Sequence, residues 1–274
     1  MRTMRTIIRA AGFALIMAGC FLPWLAGALL LAPWARGARL WRCRMFRLWA
    51  RLVTALLGIN LETSGPAPRA PFFLVANHLS YLDIIVLAAR LDCIFIAKSE
   101  VARWPVLGLL CHCMNTIFID RRRKRDILRV NRLIEQALDR GENIVLFPEG
   151  TTTDGKTILP FKSALLDPVA RRGFPVSLAS LHYATEPGDG PASENICWWG
   201  DMDFLPHLLR LFAIPRFRAR LRFGDNALRN HDRKQLAREL GTAVADIFTP
   251  VAQTDLTDTR QLQPLDELVW RTKH

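Results

Sequence analysis

Short apolar runs alternate along most of the chain with stretches in which apolar residues recur every three or four positions. The apolar runs predict buried strands at Phe72–Val75, Cys93–Ala97, Thr116–Ile119, Asn143–Phe147 and Val176–Leu181. Helical spacing predicts helices from Ser80 through Leu87, from Ile127 to Leu138 before a stop at Gly141, and from Leu236 to Ile247. Strands that alternate with helices predict an α/β fold with a mixed, largely parallel sheet flanked by helices.

One further segment alternates with a period of two. Phe217, Ala219, Leu221 and Phe223 are separated by arginines at 218, 220 and 222. This pattern predicts a strand with one buried and one solvated face, and we expect it at the edge of the sheet.

The first third of the chain begins differently, with 26 consecutive uncharged residues from Ala10 to Ala35. As a helix this run would be about 39 Å long, which exceeds a hydrocarbon core of roughly 30 Å. The run is too long for a typical signal peptide, so we expect a retained membrane segment. Pro23 lies in its middle and is expected to kink it, which leaves a straight span and a re-entrant element both open.

The next segment, Arg39–Ile59, predicts a basic amphipathic helix. Arginines fall on one side of a helical projection, and Trp41, Met45, Trp49 and neighbouring leucines fall on the other. This pattern is typical of a helix lying in the plane of lipid headgroups, and the alternative is a surface helix packed on its own domain.

The net charge of +12 comes almost entirely from this region. Residues 1–61 contain nine arginines and no acid, whereas the remainder carries 28 basic and 25 acidic residues. Basic residues that flank apolar sequence indicate a membrane surface and not a nucleic-acid partner. We therefore predict a membrane anchor over 1–64, a Pro-rich linker over 65–71, a catalytic body over 72–250 and a tail over 251–274.

Six scattered cysteines in apolar surroundings predict free thiols and a body on the cytoplasmic side of the membrane. Cys111 and Cys113 lack the second pair that a zinc site requires, so we predict no metal site.

The sequence Asn77-His78-Leu79-Ser80-Tyr81-Leu82-Asp83 follows the first predicted strand directly. The carboxyl ends of strands in open α/β sheets line the usual ligand crevice. His78 and Asp83 can meet if the histidine lies on the loop and the aspartate on the first helical turn. Asp83 would then accept the Nδ1 proton of His78 and leave Nε2 free as a general base.

Two further strand ends carry polar residues. Phe147–Gly155 is a turn with a glutamate, two glycines and three threonines, which suits binding of a substrate head group. Arg121 follows another strand and can clamp an anion, whereas we interpret the basic run Arg122–Arg125 as a solvated or membrane-facing patch.

Together these residues resemble the membrane-bound glycerolipid acyltransferases whose type member is 1-acylglycerol-3-phosphate acyltransferase. The first family motif, Asn-His-x4-Asp, matches His78 and Asp83; the second ends in Phe-Ile-x-Arg, matched at Arg121; the third, Phe-Pro-Glu-Gly-Thr, matches Phe147–Thr151. The resemblance covers roughly residues 72–184.

The resemblance implies that His78 deprotonates the hydroxyl of a lysolipid and that Asp83 orients it. It further implies substrate binding by Asn77, Ser80, Arg121, Glu149, Gly150, Thr151 and Lys162. The implied partners are a membrane lipid acceptor, the phospholipid bilayer and either acyl-CoA or acyl carrier protein as co-substrate, with no other cofactor. The implied location is a bacterial inner membrane.

Two departures bear on the acceptor. Asn115 stands where the second motif usually opens with glycine, and the fourth motif is reduced to Phe174–Ala179. In addition, Thr152–Gly155, Phe161–Ser163 and Trp198–Met202 are similar to a bacterial branch that acylates lyso-ornithine lipid. We expect 1-acylglycerol-3-phosphate as the acceptor, with lyso-ornithine lipid as the alternative.

Two other classes of function remain as alternatives. A membrane-bound esterase would use the same His–Asp pair with water, but the sequence has no Gly-x-Ser-x-Gly elbow. A membrane adaptor without catalysis would leave the His–Asp pair and the polar turn unexplained.

Overall fold

The computed structural model describes residues 2–104 and 107–251, and a seven-stranded sheet lies at its centre. The strands are β1 (Ile59–Ser64), β2 (Phe73–Ala76), β3 (Ile94–Lys98), β4 (Ile117–Ile119), β5 (Ile144–Leu146), β6 (Val176–Thr185) and β7 (Phe217–Phe223). In space they lie in the order β1-β7-β6-β2-β5-β3-β4. Neighbours are parallel except for the antiparallel pair β6 and β7, which confirms the predicted mixed, largely parallel sheet.

Helices cover both faces of the sheet. The helices of the described residues are α1 (Arg2–Leu30), α2 (Ala35–Leu57), α3 (Leu82–Arg90), α4 (Leu107–Cys113), α5 (Lys124–Asp139), α6 (Asp167–Arg171), α7 (Ala192–Asn195), α8 (Phe204–Ala213) and α9 (Arg233–Asp246). Helices α1, α2, α3 and α8 contribute to one hydrophobic core, and α5, α6 and α9 to the core on the opposite face. Strand β2 is buried on both faces, as its unbroken apolar run predicts.

Strand β7 lies inside the sheet, so the prediction that Phe217–Phe223 forms an edge is wrong. Its burial alternates as expected, but β1 pairs with it in parallel along its other side. The alternation reports one solvated face and says nothing about whether the backbone has a neighbour. Residues 59–64, which the sequence analysis placed with the membrane anchor, supply that neighbour.

Helix α1 is long and apolar enough to cross a membrane, with a mean hydropathy of 2.1 and 6% of the residues buried in its most apolar window. It continues through Pro23. Its basic start is tied to the end of α8: Arg5 donates to the carbonyl of Ala213 at 2.8 Å, and Arg9 donates to the carbonyls of Phe212, Ile214 and Pro215. The last carbonyls of a helix lack partners within it, so these arginines satisfy those of Phe212 and Ala213 and also bind the two residues that follow the helix.

Helix α2 packs on the catalytic body with the face that the sequence analysis assigned to lipid. Met45, Phe46, Trp49, Ala50 and Val53 are buried, and the helix lies against α1 and α3. Leu48 and Leu52 stay exposed. The structure therefore favours the alternative of a surface helix packed on its own domain.

The arginines of α2 also contact protein. Arg39 donates to the carbonyls of Arg140 and Gly141, and Arg51 donates to the carbonyl of Ala89. Ion pairs join Arg42 to Glu142 at 2.6 Å and Arg47 to Asp92 at 2.7 Å. Much of the basic surplus thus holds the helix onto the body, because a guanidinium offers five donors to carbonyls and carboxylates.

We predict that Arg9→Met loosens the attachment of α1. Arg9 is buried and bonds three carbonyls, so its loss leaves those acceptors without a charged donor. The free energy of unfolding in detergent micelles, measured with urea, should fall by about 2–3 kcal/mol. The control is Arg2→Met, which removes an exposed charge from the same helix; equal losses in both variants would contradict the prediction.

Candidate active site

The carboxyl end of β2 leads into a loop that carries His78, and α3 begins at Leu82. Asp83 lies in the first turn of that helix. The Nδ1 atom of His78 lies 2.7 Å from Oδ2 of Asp83, so the two side chains meet in the arrangement expected from the sequence. This contact assigns the Nδ1 proton to the bond with Asp83 and leaves Nε2 as the other functional nitrogen.

Four donors surround the carboxylate of Asp83, which is completely buried. Besides His78, the backbone N–H groups of Leu79 and Ser80 donate to Oδ2 at 2.7 and 3.0 Å. The hydroxyl of Tyr183 donates to Oδ1 at 2.7 Å. An ionised carboxylate has about four lone-pair sites, so these bonds fix its orientation.

The ring of His78 is also held by stacking. Its centroid lies 4.0 Å from that of the Phe147 ring, and the planes differ by 10°. Its side chain is 19% exposed, and among the described residues no hydrogen bond is made to Nε2. The imidazole is therefore fixed on one edge and one face while its second nitrogen stays accessible.

Glu149 holds the backbone of His78. Its Oε1 accepts from the N–H of His78 at 2.8 Å, and its Oε2 accepts from the N–H of Leu159 at 3.0 Å. The side chain is 1% exposed, and burial raises the pKa of Glu149 to about 7. The prediction that Glu149 binds substrate directly needs correction, because both oxygens are bonded to backbone and face away from solvent.

The turn after Glu149 places several predicted residues beside His78. Gly150 has a φ of +74°, a conformation that favours glycine. The Nζ of Lys162 lies over it, 2.8 Å from where a Cβ would stand. Thr151 is exposed, and the N–H of Thr153 donates to the carbonyl of His78 at 2.9 Å. Gly150, Thr151 and Lys162 therefore border the site.

Asn77 and Ser80 are both buried, and the side chain of Asn77 is used within the fold, which corrects its assignment as a substrate-binding residue. The amide of Asn77 exchanges two hydrogen bonds with the backbone of Leu181 in β6. The N–H of Ser80 bonds Asp83, and its buried hydroxyl has no partner among the described residues. The side chain of Asn77 therefore supports the loop, and substrate binding by Ser80 stays a prediction.

Arg121 lies just beyond β4, at the same edge of the sheet as His78 but three strands away. Strands lie about 4.8 Å apart, so the two positions are separated by roughly 14 Å across the sheet. Its side chain is exposed. The side chains of Arg121 and His78 therefore start about three strand spacings apart at one edge of the sheet.

Sequence reasoning missed Thr153 and Tyr183 as partners of the His–Asp pair. Thr153 lies within the polar turn, where the sequence offers no reason to separate it from the other two threonines. Tyr183 lies in an apolar strand over 100 residues from His78 in sequence, where nothing in the pattern separates it from a core aromatic.

The fold and this site define a class: an α/β protein with a histidine–aspartate pair at the carboxyl edge of its sheet. The family model for acyltransferases matches residues 58–177, which begin directly before β1. The chain is 35% identical to a lyso-ornithine lipid O-acyltransferase of Pseudomonas aeruginosa, over 74% of this chain and 78% of that protein. It is 37% identical to a 1-acyl-sn-glycerol-3-phosphate acyltransferase of Neisseria meningitidis, over 63% and 68% of the two chains.

A solved structure has the same fold. The crystal structure of the 1-acyl-sn-glycerophosphate acyltransferase PlsC from Thermotoga maritima matches with a TM-score of 0.61 at 20% identity, covering 90% of this chain and 98% of that one. The protein belongs to the acyltransferase family, which confirms the resemblance drawn from its motifs.

We predict that Glu149→Gln removes one of the two hydrogen bonds by which residue 149 holds the backbone of His78 and Leu159. A glutamine accepts with one oxygen only, and its NH₂ group would face an N–H donor. Hydrogen exchange at the amide of His78 or Leu159 should accelerate, because one of the two N–H groups loses its acceptor. The control is Glu194→Gln at an exposed site. Unchanged exchange at both amides would contradict the prediction.

Proposed function

We propose that the protein transfers a fatty acyl chain from an acyl thioester to the free hydroxyl of a lysolipid. The observation that carries this proposal is the His78–Asp83 bond, with Nε2 of the imidazole left accessible. Family membership supports the reaction type, because the named relatives of this chain acylate lysolipids.

The reaction needs one proton acceptor and no covalent enzyme intermediate. Nε2 of His78 takes the proton of the lysolipid hydroxyl, and the oxygen attacks the thioester carbonyl. The C–S bond breaks as the C–O bond forms, and the imidazolium returns its proton to the leaving thiolate. Asp83 holds the ring in place and stabilises the positive charge that develops on it.

The acceptor is anchored by its anion. Arg121 binds a phosphate or carboxylate bidentately, while the turn at Gly150 and Thr151, with Lys162 above it, receives the polar groups nearer to the reacting hydroxyl. The separation of roughly 14 Å between the backbone positions of Arg121 and His78 is spanned by the two side chains together with the head group of the acceptor. The donor is acyl-CoA or acyl carrier protein, used as co-substrate.

Two acceptors fit this site. The Phe-Pro-Glu-Gly-Thr turn and Arg121 fit 1-acylglycerol-3-phosphate, which gives phosphatidic acid. Lyso-ornithine lipid is the second candidate, because lyso-ornithine lipid O-acyltransferases align over 74–77% of this chain, against 62–63% for two 1-acyl-sn-glycerol-3-phosphate acyltransferases. Its carboxylate can take the place of the phosphate at Arg121.

The reaction takes place at a membrane. Exposed leucines of α1 (Leu15, Leu22, Leu29 and Leu30) and of α8 (Leu205 and Leu209) offer apolar surface to lipid. We place the protein in a bacterial inner membrane with its body on the cytoplasmic face, which agrees with the free thiols of its six cysteines.

We predict that His78→Ala lowers acyl transfer by about 10²–10⁴-fold or more and leaves membrane binding intact. The measurement incubates purified protein with labelled acyl thioester and a panel of lysolipids, and co-sedimentation with phospholipid vesicles reports binding. The control is His231→Ala, an exposed histidine. Near-normal transfer by His78→Ala would contradict the mechanism.

The same panel separates the classes of function. A transferase moves the label to lipid, an esterase releases it as free fatty acid, and an adaptor does neither. The preferred acceptor is the one that is acylated with the higher kcat/KM. Failure of the wild-type protein to sediment with vesicles would contradict its proposed location.

We predict that Arg121→Ala raises the KM for the acceptor by about 10- to 100-fold, the loss expected for a charged hydrogen-bonded pair. The KM for the donor should change little, and Arg121→Lys should restore only part of the affinity because it lacks the bidentate fork. The matched control is Arg122→Ala, its exposed neighbour. Equal effects at 121 and 122 would show a general loss of positive charge and contradict a specific anion site.

A further inference from the structure

The hydroxyl of Tyr183 contacts Asp83 but has no role in the mechanism described above. It lies near the end of β6 and is completely buried, and its hydroxyl donates to Oδ1 of Asp83 at 2.7 Å. The other Asp83 oxygen takes three donors, from His78, Leu79 and Ser80. Tyr183 is thus the donor to the oxygen that points away from the imidazole.

The bond reaches across the structure from strand to helix. Asp83 lies in the first turn of α3, and Tyr183 lies on β6. Strand β6 is the neighbour of β2, the strand that leads to His78. Two residues earlier on β6, Leu181 exchanges two backbone hydrogen bonds with the side chain of Asn77. The same strand therefore holds both ends of the segment 77–83 within which the His–Asp pair lies.

The hydroxyl is not required for packing. The ring of Tyr183 packs against Phe217 with centroids 6.2 Å apart, a contact that phenylalanine would make equally well. A hydroxyl removed from water costs free energy unless it is hydrogen-bonded. Burial and the adjacent Asp83 carboxylate raise the pKa of Tyr183 well above its ordinary value. The phenol therefore stays protonated and remains a hydrogen-bond donor at neutral pH.

We propose that Tyr183 is a positioning residue for the His78–Asp83 pair, which fixes the carboxylate so that its other oxygen meets Nδ1 of His78. This inference rests on the proposed general-base mechanism. Without this bond the carboxylate loses one of the four contacts that fix it and the only one on Oδ1 among the described residues, so its rotation about the side-chain torsion is less restricted. Because substrate does not touch Tyr183, binding should be preserved while turnover falls.

The first test is Tyr183→Phe, which retains the ring and removes the hydroxyl. We expect kcat per folded molecule to fall on the order of tenfold, with the KM values for both substrates within about twofold of wild type. The chain has only two tyrosines, and the other supplies a matched control. Tyr81→Phe also removes a hydroxyl, but one that lies 3.0 Å from Nδ1 of His207 and does not contact Asp83. Equal kcat values for the two variants would overturn the proposal.

A spectroscopic test covers the case in which Tyr183→Phe does not fold. Expression of Tyr81→Phe with 3-fluorotyrosine leaves a single fluorine probe, at residue 183. We expect its ¹⁹F resonance to shift when Asp83→Asn is added and to stay in place with Asp232→Asn, which changes a helix cap in the opposite layer. An unshifted resonance with Asp83→Asn would overturn the proposal. The ¹⁹F measurement does not require enzyme activity. It therefore tests the role of Tyr183 separately from the proposed function, which the His78→Ala assay tests.

Discussion

The 2.7 Å hydrogen bond between Nδ1 of His78 and Oδ2 of Asp83 is the contact around which the site is built. It requires the histidine to leave the helix and the aspartate to stay in it, because side chains five residues apart on one helix point about 140° away from each other. The short loop between β2 and α3 meets that requirement. Every other contact in the site acts to keep this loop in one conformation: Glu149 and Thr153 bond the two backbone groups of His78, and Phe147 covers the ring.

The two carboxylates of the site, those of Asp83 and Glu149, are buried, which makes the arrangement specific. A buried carboxylate is tolerated only when its oxygens are hydrogen-bonded, and both Glu149 and Asp83 meet that condition with protein donors. Removal of a single donor leaves the full desolvation penalty of its partner uncompensated. The third motif of the family thus fixes the position of His78 in this chain. The glutamate at its centre is buried, while Gly150 and Thr151 beside it border the site.

The sequence predicted most of the fold and the central pair, because both depend on local pattern. Apolar runs and helical spacing found β2 to β6, α3, α5 and α9 within a few residues, and the position of His78 after a strand correctly indicated its place at the carboxyl edge of the sheet. The errors have a common physical origin. An amphipathic helix shows that it has an apolar face, but the pattern is the same whether lipid or protein covers that face, as Trp49 of α2 demonstrates. Likewise, the alternation of β7 did not reveal β1 as a neighbour, and the burial of Asn77, Ser80 and Glu149 arises from strands and loops distant in sequence.

Hydrogen bonds also connect the apolar N-terminal helix to the catalytic loop. Arg5 and Arg9 of α1 bond the carbonyls at the end of α8. Within α8, burial lowers the pKa of His207 to about 4, so the ring is neutral at physiological pH and its Nε2–H donates to the carbonyl of Cys197 at 3.0 Å. The next residue, Trp198, donates its N–H to the carbonyl of Leu79 at 2.9 Å, and the N–H of Leu79 bonds Asp83. Helix α1, which is long and apolar enough to cross a membrane, is therefore connected to the carboxylate of Asp83 through α8 and Trp198. Because the connection runs through α8, a shift of α1 relative to the body would disturb the contacts that hold the loop of His78, so one set of hydrogen bonds positions both the apolar helix and the His–Asp pair.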